Sequence, residues 1–96
     1  MKKIFVVIPN WNGGDLIAEC LNSLQKQTKE HQIIVVDNGS TDNSVQIVEN
    51  RFPSVRLIKL STNMGFSGGV NCGIQHAIKH GAEFLCLYNN DAIADE

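Results

Sequence analysis

The sequence predicts an α/β domain built on a parallel sheet with helices on both faces. Three observations carry that prediction. Four short apolar runs punctuate the chain, a stretch of helical periodicity separates each from the next, and a polar turn closes each run. Strands joined through helices in this way run parallel, with right-handed crossovers.

The first run, Ile4-Phe5-Val6-Val7-Ile8, is continuous and rich in β-branched residues, as a strand covered on both faces is. Residues 15–27 follow, where Leu16, Ile17, Cys20, Leu21 and Leu24 make one helical stripe. Ile33-Ile34-Val35-Val36 is the second buried strand. A helix over 43–51 buries Val45, Val48 and Phe52, and Pro53 stops it. The third strand, 55–60, carries Arg56 and Lys59 and so suits a sheet edge. The third helix, 67–80, presents Val70, Ile74, Ala77 and Ile78, with Gly81 as its C-cap. Phe84-Leu85-Cys86-Leu87 is the fourth strand.

The chain has 96 residues, 43% of them hydrophobic and 19% charged, which makes one small globular domain. A formal charge of −2 supplies no basic field, so no nucleic-acid partner is expected. No apolar stretch approaches the roughly 20 residues of a membrane-spanning helix. The start, Met1-Lys2-Lys3 before Ile4, superficially resembles a signal peptide, but Pro9-Asn10-Trp11-Asn12 cuts its apolar run short. Cys20, Cys72 and Cys86 are odd in number and scattered, which predicts structural thiols in a reducing cytoplasm, each a small hydrophobe.

In open parallel sheets, ligands bind beyond the carboxyl ends of the strands. The four polar turns lie at such ends: 9–13, 37–42, 63–69 and 88–91. They are therefore expected to converge on one pocket. Neither familiar phosphate-binding pattern fits it. The first turn, Asn10-Trp11-Asn12-Gly13-Gly14, lacks G-x-G-x-x-G, and after Gly68 and Gly73 the residues Ile74-Gln75 stand where a P-loop needs Lys and Ser/Thr. Gly65, Gly68 and Gly69 suit either an anion approaching the backbone or tight helix packing. Asp37 suits a base or ribose hydroxyl, or else shapes a turn, as Asp42 does in capping the next helix. Asp91, two residues after Asn89, offers hard oxygen ligands for Mg²⁺ or Mn²⁺ once a diphosphate completes the set, or closes an ordinary turn. Trp11 can stack on a base or pack at the mouth of the core. His76 and His80 sit four apart but lack the glutamate of a zincin helix, since Ala77 stands there.

Taken together, the turns resemble the family 2 glycosyltransferases. Val6-Val7-Ile8-Pro9-Asn10-Trp11-Asn12-Gly13 is similar to their opening strand and loop. Ile34-Val35-Val36-Asp37-Asn38-Gly39-Ser40-Thr41-Asp42 is similar to their V-D-(D/N)-G-S-x-D segment. Residues 63–74 resemble the N-x-G-F-x-x-G-x-N-x-G-I segment of rhamnosyltransferase-like members, and Leu87-Tyr88-Asn89-Asn90-Asp91 falls at the D-x-D-type metal motif. The resemblance implies the Rossmann-like N-terminal half of a GT-A fold. It implies that Pro9, Asn10, Asn12, Asp37, Asn38, Asn63, Gly65, Asn71 and Asn89 bind the nucleotide and that Asp91 ligates Mg²⁺ or Mn²⁺.

The implied reaction is a single, inverting displacement. It moves sugar from a nucleotide-diphosphate donor, dTDP-rhamnose or a UDP-sugar, to a saccharide or lipid-linked acceptor in cell-surface polysaccharide synthesis. Residues 1–96 are expected to be the donor-binding half, truncated after the metal motif and inactive alone, with the general base in a C-terminal half. The alternative is a non-catalytic nucleotide-sugar-binding module. The expected location is the cytoplasm, or the inner face of the membrane by peripheral attachment. An unpaired sheet edge predicts a homodimer.

Overall fold

A computed structural model describes residues 3–26 and 31–89. The chain alternates as β1 (Ile4–Asn10), α1 (Asp15–Gln25), β2 (Gln32–Asp37), α2 (Ser44–Arg51), β3 (Arg56–Lys59), α3 (Gly65–Lys79) and β4 (Phe84–Leu87). The strands form one parallel sheet in the order β3-β2-β1-β4. From β1 the chain steps outward through β2 to β3, then returns past β1 to place β4 on its other side. The order therefore reverses between β1 and β4, and a crevice opens there at the carboxyl ends.

Alternation along the central strands builds two cores. Val6, Ile8, Ile33 and Val35 share one with Ile17, Leu21 and Leu24 of α1 and Val48 of α2. Phe5, Val7, Ile34 and Val36 share the other with Ala77 of α3. Both faces of β1 and β2 are thus covered, which is why their sequences read as unbroken apolar runs. On the second face α3 lies very close to the sheet. A Cβ at Gly73 would stand 2.4 Å from Val7 Cγ1 and 2.9 Å from Val36 Cγ2, so only glycine fits there. At its far end, Gly81 takes φ 84°. The bonds Gly81 N–H to Ile78 O, 3.1 Å, and Ala82 N–H to Ala77 O, 3.0 Å, close a Schellman motif.

Several boundaries differ from the sequence reading, each for a visible reason. β1 and β2 run on through Pro9, Asn10 and Asp37 because the ladder continues: Asn38 N–H reaches Asn10 O at 2.8 Å and Leu60 N–H reaches Asp37 O at 2.9 Å. α3 starts at Gly65, two residues early. Its buried stripe is Gly69, Val70, Gly73 and Ala77, and Ile78 falls beside that stripe at 62% exposure. Val45 is half-buried, while Ile47 packs against the α1–α2 core.

The largest difference is β4. Its run is wholly apolar and Cys86 is expected to be a structural thiol, yet Phe84, Leu85, Cys86 and Leu87 are all exposed. Among the described residues β4 pairs only with β1, and α3 packs over β1 and β2 instead. Cys86 is therefore an exposed free thiol, unlike buried Cys20 and half-buried Cys72. β3 is the other edge, as its charges suggested. Lys59 pairs with Glu49 at 3.1 Å, and Arg56 Nη1 donates to His76 Nε2 at 3.2 Å. Among the described residues no helix is long and apolar enough to cross a membrane.

Candidate functional site

A cavity of about 320 Å³ opens at the crevice between β1 and β4, lined by Pro9, Asn10, Trp11, Asn38, Asn63, Phe66 and Asn89. These residues come from all four polar turns. Four side-chain amides and two aromatic rings form the wall, and no charged side chain is among the described lining residues. Trp11 is 55% exposed and Phe66 60% exposed, so neither is packed into a core. The reading of Trp11 as a plug at the mouth of the core is thereby set aside.

Behind this wall a polar network fixes the loops. Asp37 is 2% exposed. Its Oδ1 accepts from Asn10 Nδ2 at 3.0 Å and from the Ser40 hydroxyl at 2.7 Å, and its Oδ2 accepts from Ser40 N–H at 2.9 Å. The strand register explains the first contact, since Asn10 and Asp37 are direct neighbours across β1 and β2. Asn38 uses both ends of its amide on the start of α3. Its Nδ2 donates to Gly65 O at 2.8 Å and its Oδ1 accepts from Met64 N–H at 2.7 Å. A Cβ at Gly69 would come within 2.9 Å of Asn38 Nδ2, so that glycine makes room for the clamp. Asn63 Oδ1 accepts from Gly65 N–H at 2.7 Å.

Asn12 joins the first two turns. Its Oδ1 accepts from the N–H groups of Thr41 and Asp42 at 2.8 and 3.2 Å. Asp42 Oδ1 accepts from Ser44 N–H at 2.9 Å, satisfying one orphan donor at the start of α2. Burial pushes the Asp42 carboxyl up, but hydrogen bonds from Ser44 and Gly14 outweigh it and hold the group below its ordinary 3.8.

Of the residues singled out in the sequence, Pro9, Asn10, Asn38, Asn63 and Asn89 line the cavity. Asn12, Asp37 and Gly65 stand behind it in the network. Asn71 is exposed on α3, outside the lining. Asp91 lies outside the described residues. Among those described, no group of three or more His, Cys, Asp or Glu side chains is placed to hold a metal ion. The lining offers amide oxygens alone, a set too weak to fix a hard dication without a carboxylate. Ser40 and Phe66 were given no role in the sequence. Both stood in plain sight, Phe66 inside the N-x-G-F segment and Ser40 at the serine of the V-D-(D/N)-G-S-x-D segment.

An open parallel sheet with a polar cavity at its reversal point defines the Rossmann-like α/β class. The profile described as Glycosyl transferase family 2 matches residues 5–96, and the chain belongs to that family. It is 38% identical over 102 residues to the poly(ribitol-phosphate) beta-glucosyltransferase of Bacillus spizizenii, covering 98% of this chain and 16% of that protein. It superposes on Staphylococcus aureus TarS 1–349 in complex with UDP-GlcNAc with a TM-score of 0.82 at 33% identity, covering 95% of this chain and 27% of that one. The mannosyltransferase PcManGT of Pyrobaculum calidifontis, solved with GDP-Man and Mn²⁺, gives 0.86 at 24% identity, a likeness of fold over 97% of this chain and 28% of that one. The chain thus spans under a third of each of these proteins.

Proposed function

We propose that this chain forms the donor-nucleotide portion of an inverting glycosyltransferase that moves sugar from a nucleotide-diphosphate donor to a saccharide or lipid-linked acceptor. The observation that carries the reading is the cavity itself: amides and two exposed aromatics drawn from four separate turns, at the crevice of a family 2 sheet. Side-chain amides suit the mixed donors and acceptors of a base and a ribose. Trp11 and Phe66 offer flat apolar faces to the base. A UDP- or dTDP-sugar is the proposed donor. The UDP-GlcNAc of TarS supports such a donor, and the poly(ribitol-phosphate) named for a relative supports a polymeric acceptor.

The described lining residues carry no charge, so the diphosphate needs a counter-charge. Asp91 is the proposed ligand for a Mg²⁺ or Mn²⁺ ion that neutralises it, and such an ion would stabilise the leaving diphosphate. The exposed apolar edge of β4 is the proposed seat of a homodimer contact.

Calorimetric titration of the chain with UDP, dTDP and GDP, with and without Mn²⁺, tests the reading. Saturable binding of UDP or dTDP, tightened by Mn²⁺, is expected. No heat from any of the three overturns it.

A further inference from the structure

The Ser40 hydroxyl is the point where the first two walls of the site are joined, and chemistry fixes the direction of each of its bonds. Asn12 N–H can only donate, so Ser40 Oγ accepts it, at 2.8 Å. The single hydroxyl proton is left for Asp37 Oδ1, at 2.7 Å. Asn10 Nδ2 approaches the same hydroxyl at 3.5 Å while donating to the same carboxylate oxygen. In the opposite sense Asn12 Oδ1 takes the N–H groups of Thr41 and Asp42. The two turns are stitched in both directions, with Ser40 at one end of the stitch.

The stitch holds an unusual backbone. Asn12 has φ 50°, and it is the one non-glycine residue with positive φ among those described. Asparagine tolerates this region, where it has alternatives close in energy, and the contacts to the second turn select one of them. Trp11 immediately precedes it and lines the cavity. The contact between Asn12 and Ser40 is exposed, so water can replace it at little cost to folding. Its removal frees the turn instead.

We infer that Ser40 is a positioning residue for the nucleoside end of the donor, acting through Asp37 and the Trp11-Asn12 turn; this rests on the donor-nucleotide reading above. The test compares wild type, Ser40→Ala and Ser40→Thr in the 96-residue chain. UDP and dTDP are titrated against the emission of Trp11, the chain's only tryptophan, and each protein is also melted. Acrylamide quenching reports on the mobility of Trp11 without ligand.

Removing one hydroxyl that sets the geometry of a binding wall is expected to raise Kd about tenfold. Loss of one donor from the nearly buried Asp37 carboxylate, which keeps two others, is expected to lower the melting midpoint by about 4–8 °C. Quenching of Trp11 should rise in Ser40→Ala, and Ser40→Thr, which keeps the hydroxyl, should restore both affinity and quenching. An unchanged Kd in Ser40→Ala overturns the inference. So does a loss of affinity matched by a fall in melting midpoint well beyond about 8 °C, or a threonine variant that behaves like alanine. Failure of wild type to bind either nucleotide is a different result: it removes the donor reading, and this inference with it.

Discussion

Replacing Gly73 with alanine tests how closely α3 lies on the sheet. The new Cβ would sit 2.4 Å from Val7 Cγ1, about 1 Å inside ordinary contact, which begins at 3.4 Å. It would also sit 2.9 Å from Val36 Cγ2. Neither valine can retreat. Both are fully buried, both are held in central strands, and a β-branched side chain has little freedom at χ1. The helix must therefore lift. Overpacking of this kind costs about 1–3 kcal/mol, and two contacts inside 3.0 Å put this site at about 2–3 kcal/mol; the better helix propensity of alanine returns about 1 kcal/mol. The net loss is about 1–2 kcal/mol, and in a domain of this size each kcal/mol moves the midpoint by roughly 4–8 °C. A far-UV circular dichroism melt of Gly73→Ala should therefore fall by about 5–15 °C. A midpoint equal to or above that of wild type refutes the packing argument, because propensity alone predicts a gain.

Three more outcomes follow from the same geometry. Asn38→Ala leaves the Met64 N–H and Gly65 O without their amide partner, so it should destabilise by about 1–3 kcal/mol in a urea titration and weaken nucleotide binding together. Ser44→Ala removes a fully buried hydroxyl that accepts from Gly14 N–H at 2.9 Å, and a loss of about 1 kcal/mol or more is expected in the same titration. His76 has its pKa held below the ordinary 6.5, by burial first and then by the charges of His80, Arg56 and Lys79. The unfolded chain therefore binds more protons there than the folded one. The stability His76 contributes is intact above pH 6.5 and is lost as pH falls below that value. Melts over this range should fall more steeply for wild type than for His76→Gln, and equal slopes contradict the assignment.

The sequence by itself determined the order of elements, the parallel sheet and the end of the sheet at which the polar turns gather. It did so because burial on both faces leaves an unbroken apolar run, and because a polar turn can only follow such a run where the strand emerges from the core. Ile33-Ile34-Val35-Val36 followed by Asp37 says all of this locally. It also marked Pro9, Asn10, Asn38, Asn63 and Asn89, and these do meet at one cavity. Only the tertiary structure decided which polar groups face that cavity and which stand behind it. Asn10 and Asp37 are 27 residues apart and Asn12 and Ser40 are 28, and those pairings depend on the register of β1 against β2, which no local pattern encodes. The exposure of Phe84, Leu85 and Leu87 was likewise illegible. Their composition suits a central strand, and their surroundings are set by a sheet order in which, among the described residues, β4 has a neighbour on one side alone.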